Sequence, residues 1–88
     1  MTTAVLLIDD DVKLFGLLRE ILLPSGFVVS SATDGPRGLA LVEQGGFDVV
    51  LLDGMLPGMD GLDVLKRLRS KPATARVPII MLTARGDE

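Results

Sequence analysis

Two short apolar runs that end abruptly in aspartate constrain this chain more than any other feature. Val5-Leu6-Leu7-Ile8 is followed at once by Asp9-Asp10-Asp11, and Val49-Val50-Leu51-Leu52 by Asp53. An unbroken run of four apolar residues, mostly β-favouring, is the pattern of a strand covered on both faces. Strands of that kind belong to a parallel sheet sandwiched between helices, and the ligands of such sheets sit beyond the carboxyl ends of the strands. The aspartates fall at that end. A further run, Ile79-Ile80-Met81-Leu82, ends in Thr83.

The segments between the runs read as helices. Val12, Phe15, Leu18 and Leu22, with Leu14, Leu17 and Ile21, recur at spacings of three and four and predict a wide apolar stripe, stopped by Pro24-Ser25-Gly26. Residues 27–32 form a weaker second strand. Asp34-Gly35-Pro36 reads as the capped start of helix two, and Gly45-Gly46 as its end. After a loop over residues 54–61, helix three is expected to turn Leu62, Leu65 and Leu68 to the sheet and to leave Lys66, Arg67, Arg69 and Lys71 solvated. Residues 72–78 are a connector. The order β-α-β-α-β-α-β, free of repeats and low-complexity tracts, predicts one α/β domain over residues 1–88, with right-handed crossovers and three layers. A spatial strand order of 2-1-3-4 would make strands one and three neighbours and bring Asp9 and Asp10 beside Asp53.

Composition narrows the function classes. A formal charge of -3 gives no basic footprint for nucleic acid or anionic lipid. With no cysteine there is no disulfide framework and no thiolate metal site. The first apolar run lacks a basic region before it and is cut off by aspartates, so it is no signal peptide, and no segment is long enough to span a bilayer. A cytoplasmic protein is expected. Yet 48% of the residues are hydrophobic, more than a small, half-solvated domain needs, so something further is expected to cover apolar surface.

Three carboxylates at the mouth of one sheet repel one another unless a cation sits among them. Hard oxygen donors point to Mg²⁺, held by Asp10, Asp53 and a backbone carbonyl of the loop, with Asp9 close by and acting through water. An exposed, metal-bound carboxylate at a strand end can accept a phosphoryl group, and the Thr83 hydroxyl falls where it would donate to a phosphoryl oxygen. Blander roles exist beside these. Asp11, Asp60 and Asp63 read as helix caps or first-turn acids, Met55 and Met59 as loop packing, and Gly54, Gly58 and Gly61 as turn glycines.

Ile8-Asp9-Asp10-Asp11, the stretch Asp53-Gly54-Met55-Leu56-Pro57-Gly58-Met59-Asp60-Gly61, and Leu82-Thr83-Ala84 resemble the three signature segments of two-component response-regulator receiver domains. The resemblance runs the length of the chain and implies the CheY-like (flavodoxin-like) fold. It further implies Asp53 as phosphoacceptor, Asp9 and Asp10 as the acidic pair, the Met55 carbonyl as a metal ligand, Thr83 as the switch hydroxyl, and Pro57 and Gly61 as residues that shape the loop. A sensor histidine kinase is the implied phosphodonor, and the residues from Met81 onward resemble the OmpR/PhoB-type transcriptional subfamily, whose output domain would lie elsewhere.

Receivers also carry a lysine and an aromatic residue on a fifth strand, and neither position exists among these residues. The chain is therefore expected to be a receiver fragment lacking helix four, strand five and helix five. Weak phosphorylation, retained magnesium binding and a homo-oligomeric or segment-swapped assembly follow as expectations. Two rivals stand beside this reading. Ile8-Asp9-Asp10-Asp11-Val12 also fits the start of haloacid-dehalogenase-like phosphatases, with Asp9 as nucleophile and Asp11 as acid/base. The other is a receiver-like interaction module without phosphoryl chemistry.

Overall fold

A computed structural model describes residues 2–82, so Thr83 and the residues after it lie outside the described structure. The chain runs β1 (Thr3–Ile8), α1 (Val12–Leu22), a 3₁₀ turn (Leu23–Ser25), β2 (Phe27–Ala32), α2 (Gly35–Gln44), β3 (Val49–Asp53), the short strands β4 (Met55–Leu56) and β5 (Met59–Asp60), α3 (Gly61–Ser70) and β6 (Ile79–Leu82). The main sheet has the order β2-β1-β3-β6, and every neighbouring pair in it is parallel. This is the 2-1-3-4 order expected, with β6 as the fourth long strand. β4 and β5 form a separate antiparallel pair within the loop after β3, which the sequence pattern did not reveal.

Side chains alternate between the two faces of the sheet, and the layers follow from that alternation. Leu6, Ile8, Val50 and Leu52 share one face and pack with Val42 of α2 and Val64 and Leu68 of α3 in the main core. Val5, Leu7 and Val29 are buried on the other face, the side of α1. Full burial of each such side chain contributes about 1.5–3 kcal/mol.

The connector of residues 71–78 is held in place from α3. Thr74, buried, donates from its hydroxyl to the Leu68 carbonyl. Arg69 donates from Nη1 to the carbonyls of Ala75 at 2.8 Å and Val77 at 2.7 Å. Arg69 is thus solvent-exposed, as the helical pattern predicts, and engaged as well. These bonds deliver β6 to its place beside β3.

Two helix faces differ from expectation. In α1 no residue is fully buried: Leu14, Phe15, Leu18 and Leu22 are half-buried, while Val12, Leu17 and Ile21 are exposed. One sheet face can cover only part of a stripe that wide. In α3 the buried residues are Gly61, Val64 and Leu68, and Leu62 is 53% exposed. Positions 61, 64 and 68 make the helical repeat, and a glycine at its first position hides the phase from a hydrophobicity pattern.

Candidate functional site

The ladder between β1 and β2 continues one bond past β1, with the Asp9 N–H donating to the Ala32 carbonyl at 3.0 Å. This fixes Asp9 at the end of the sheet with only 8% of its surface exposed. One of its oxygens, Oδ1, accepts from the Asp11 N–H at 2.9 Å. Asp10 projects into solvent. Asp53 is the last residue of β3, half-buried and opposite Leu82 of β6. Its Oδ1 accepts from the Met55 N–H at 3.2 Å, a bond that ties the carboxylate to the loop behind it.

The carboxylates of Asp9, Asp10 and Asp53 meet. One oxygen from each lies within 4.8 Å of the other two. The parallel register aligns Ile8 with Leu52 and so brings the next residue of each strand into one plane. Burial raises the Asp9 carboxyl above its ordinary value of 3.8, and the charges of Asp53, Asp10 and Asp11 raise it further, against the lowering effect of the Asp11 N–H bond. A buried carboxylate crowded by others of like charge is stabilised by a nearby cation. The oxygen-only donor set suits a hard divalent ion, which would offset both the desolvation and the repulsion.

Other aspartates of the described residues do other work. Asp11 caps α1, its Oδ1 accepting from the N–H groups of Lys13 and Leu14, both at 3.0 Å. Asp34 caps α2 through the Arg37 N–H at 2.8 Å, and Asp60 caps α3 through the Leu62 N–H at 3.1 Å. Asp63 sits in the first turn of α3. Asp48 accepts from the Ala4 N–H at 2.7 Å, at the opposite end of the sheet. The cap assignments of Asp11, Asp34 and Asp60 therefore hold, and among the described residues the cluster contains only the acids placed there from sequence.

Loop packing, in contrast, holds for Met59 and fails for Met55. Met59 packs against the core, whereas the Met55 side chain is 61% exposed. The sequence reading also missed the wall beside the carboxylates. A groove of about 610 Å³ is lined by Asp9 and Asp53 together with Leu14 and Leu18 of α1, Leu51 of β3, and Met81 and Leu82 of β6. Its signal was present in the apolar stripe of α1, whose flank forms one side. Thr83, the expected switch hydroxyl, lies outside the described residues.

A parallel α/β sheet with three carboxylates gathered at the carboxyl ends of adjacent strands is the arrangement expected of a receiver domain. The comparisons agree: residues 5–88 match the response regulator receiver domain family, and the chain belongs to it. It is 46% identical over 86 residues to the sensory transduction protein RegX3 of Mycobacterium tuberculosis, covering 98% of this chain and 37% of that protein. With the transcriptional regulatory protein CpxR of Escherichia coli it shares 48% identity over 84 residues, covering 96% of this chain and 34% of that protein. The chain thus spans about a third of the length of these relatives. Among solved structures, the chemotaxis regulator CheY4 of Vibrio cholerae superposes with a TM-score of 0.90 at 30% identity, covering 99% of this chain and 72% of that one. The receiver domain of the sensor histidine kinase PA1611 of Pseudomonas aeruginosa has a TM-score of 0.88 at 29% identity, covering 97% of this chain and 70% of that one. It was solved with a magnesium ion coordinated in its active-site cleft.

Proposed function

We propose that Asp53 is the phosphoacceptor of this receiver domain and that Asp9, Asp10, Asp53 and the Met55 carbonyl hold Mg²⁺. The observation that carries this reading is the meeting of the three carboxylates within 4.8 Å around a half-buried Asp53. When bound, Mg²⁺ neutralises charge that builds on the phosphoryl oxygens during transfer. An Asp53 oxygen forms a bond to phosphorus while the bond from phosphorus to the donor breaks, and the electron pair leaves with the donor. Asp9 and Asp10 keep the site negative enough to bind a cation, and Leu14, Leu18 and Leu51 limit water beside the product. A sensor histidine kinase is the donor. Thr83 is the hydroxyl that reads the phosphorylated state, as its place after β6 and the family resemblance suggest. The reaction stops at one phosphoryl group per chain, so the domain is a switch without turnover.

Two further parts of the reading concern the whole protein. The relatives named as transcriptional regulators support a DNA-binding output controlled by this domain, and the net charge of -3 supports no direct nucleic-acid contact by the segment itself. A cytoplasmic location suits a kinase-fed switch; among the described residues no helix is long and apolar enough to cross a membrane. Exposed Leu17 and Ile21 on α1 and Ile80 on the edge strand β6 support self-association.

The phosphatase alternative has no use for Asp53, yet Asp53 is a member of the cluster, which favours the receiver. Incubation with a small phosphodonor and Mg²⁺, read by intact mass and peptide mapping, tests the assignment. A weak single adduct is expected on Asp53, absent from Asp53→Asn and still mapping to Asp53 in whatever reduced amount Asp9→Asn retains. Labelling of Asp53→Asn at the wild-type level, or an adduct mapping to Asp9, would sink it.

A further inference from the structure

The acidic site has a fixed part, the ends of β1 and β3, and a part that must be held in place, the loop from Gly54 to Asp60. That loop closes on itself. The Gly61 N–H donates to the Gly54 carbonyl at 3.2 Å. Within the closure Met55 pairs with Asp60 and Leu56 with Met59, around a turn in which Gly58 follows Pro57 with φ of 73°. Since the Met55 N–H also reaches Asp53 Oδ1, the loop is joined to the carboxylate at one end and to the β3 backbone at the other.

The second junction depends on the absence of a side chain. Gly61 is buried at the first position of α3. A Cβ there would overlap the Asp53 carbonyl oxygen, and would lie 2.8 Å from the Gly54 Cα and 3.1 Å from the Asp53 carbonyl carbon. All three are main-chain atoms, so no rotamer change relieves the overlap and the backbone has to shift. Gly61 is not among the glycines with positive φ, so closeness rather than turn geometry demands glycine here. Gly54 differs, since a Cβ on it would meet nothing nearer than 3.9 Å.

We propose that Gly61 is a positioning residue for the cation, clamping the Met55 loop against β3 so that the acidic site selects Mg²⁺ over Ca²⁺. The inference rests on the Mg²⁺ reading above. Mg²⁺ requires near-octahedral oxygens at about 2.0–2.1 Å, whereas Ca²⁺ accepts six to eight at about 2.3–2.6 Å in loose geometry, so rigidity is what separates them. Relieving the overlap at residue 61 requires a relative displacement on the order of 1 Å between the start of α3 and the backbone of Asp53 and Gly54, beyond the roughly 0.5 Å that a preorganised site tolerates. That displacement shifts the loop carrying Met55, which leads into α3, relative to Asp53.

The test is calorimetric titration of the protein with Mg²⁺ and, separately, with Ca²⁺, for wild type, Gly61→Ala and Pro57→Gly, with far-UV circular dichroism of each. In Gly61→Ala the Kd for Mg²⁺ is expected to rise about tenfold or more and that for Ca²⁺ by less than about threefold, which narrows the preference. Loosening the turn with Pro57→Gly should narrow it in the same direction and by less. General damage to the fold weakens both ions alike, so equal weakening or an unchanged ratio in a folded Gly61→Ala overturns the clamp. If Gly61→Ala does not fold, Pro57→Gly decides, and an unchanged ratio there overturns it. Wild type that binds neither ion overturns the metal reading and the clamp together; wild type that binds Mg²⁺ with no change of ratio in the variants overturns the clamp alone.

Discussion

Replacing Asp53 by asparagine removes one charge from the cluster and keeps its shape, since an asparagine oxygen can still accept from the Met55 N–H. The Asp9 and Asp53 oxygens lie at most 4.8 Å apart. Two unit charges at that distance repel by about 1 kcal/mol in bulk water and by about 3.5 kcal/mol at an effective dielectric constant near 20. Asp9 is buried and Asp53 half-buried, so the relief falls between these limits, about 1–2 kcal/mol after side-chain relaxation. For a domain of this size that corresponds to a melting temperature about 5–15 °C higher for Asp53→Asn than for wild type, in chelator at neutral pH. On the Mg²⁺ reading, the ion should reverse the order. At a hundredfold excess over Kd it adds about 2.7 kcal/mol to wild type and little to the variant. Acid also removes the difference. Asp9 has a folded-state pKa raised above 3.8, so its contribution to stability is fully present below that value and is lost as pH rises through the raised one. The gain from Asp53→Asn should therefore shrink on acidification. Circular-dichroism melts across pH, with and without Mg²⁺, measure all three effects. A metal-free Asp53→Asn that melts at or below wild type at neutral pH would refute the claim that the cluster is strained by its own charge.

Gly38→Ala should destabilise although it improves helix propensity, because the new Cβ would come 2.5 Å from Ile8 Cδ1 and 2.8 Å from its Cγ1. Overpacking of that kind costs about 1–3 kcal/mol. The double variant Ile8→Val/Gly38→Ala removes Cδ1 and should lose less than the sum of the two singles, as denaturant titration would report. Asp34→Ala deprives the Arg37 N–H of its cap acceptor and should cost about 1 kcal/mol, seen as a lower melting temperature; no loss would mean that water caps α2 equally well. Light scattering over a wide concentration range should reveal concentration-dependent association, and Ile21→Lys on the exposed flank of α1 should weaken it. A clean monomer throughout would remove self-association from the proposal.

The parts of this molecule that sequence revealed are those written in apolar periodicity and in charge. β1 and β3 read as buried strands because each carries four apolar residues in a row, Val5 to Ile8 and Val49 to Leu52, directly before an aspartate, and that same abruptness marked Asp9, Asp10 and Asp53. Parallel pairing then did the rest, since strands that end in phase place their next residues together. The caps were legible for a related reason: Asp11, Asp34 and Asp60 each stand immediately before a helix, where a short carboxylate can meet unpaired N–H groups. How much of α1 would be covered was not legible. A stripe states which side chains can be buried, whereas the number of neighbouring elements decides which of them are.

Glycine accounts for most of what was missed. Gly35, Gly38 and Gly61 are all buried, and each marks a place where a helix comes closer to its neighbour than a side chain allows. Hydrophobic patterns assign such positions no weight. At Gly61 that omission turned the face of α3 toward Leu62 and left the loop after Asp53 looking like an ordinary turn. The charges at the end of the sheet suit a hard cation, and the reading of that cation as Mg²⁺ comes from donor type and the chemistry expected there, while the size of the site is not written in three aspartates. Selection between Mg²⁺ and Ca²⁺ turns on how little the oxygens can move, and on the clamp we propose that is decided where the start of α3 approaches the Asp53 carbonyl.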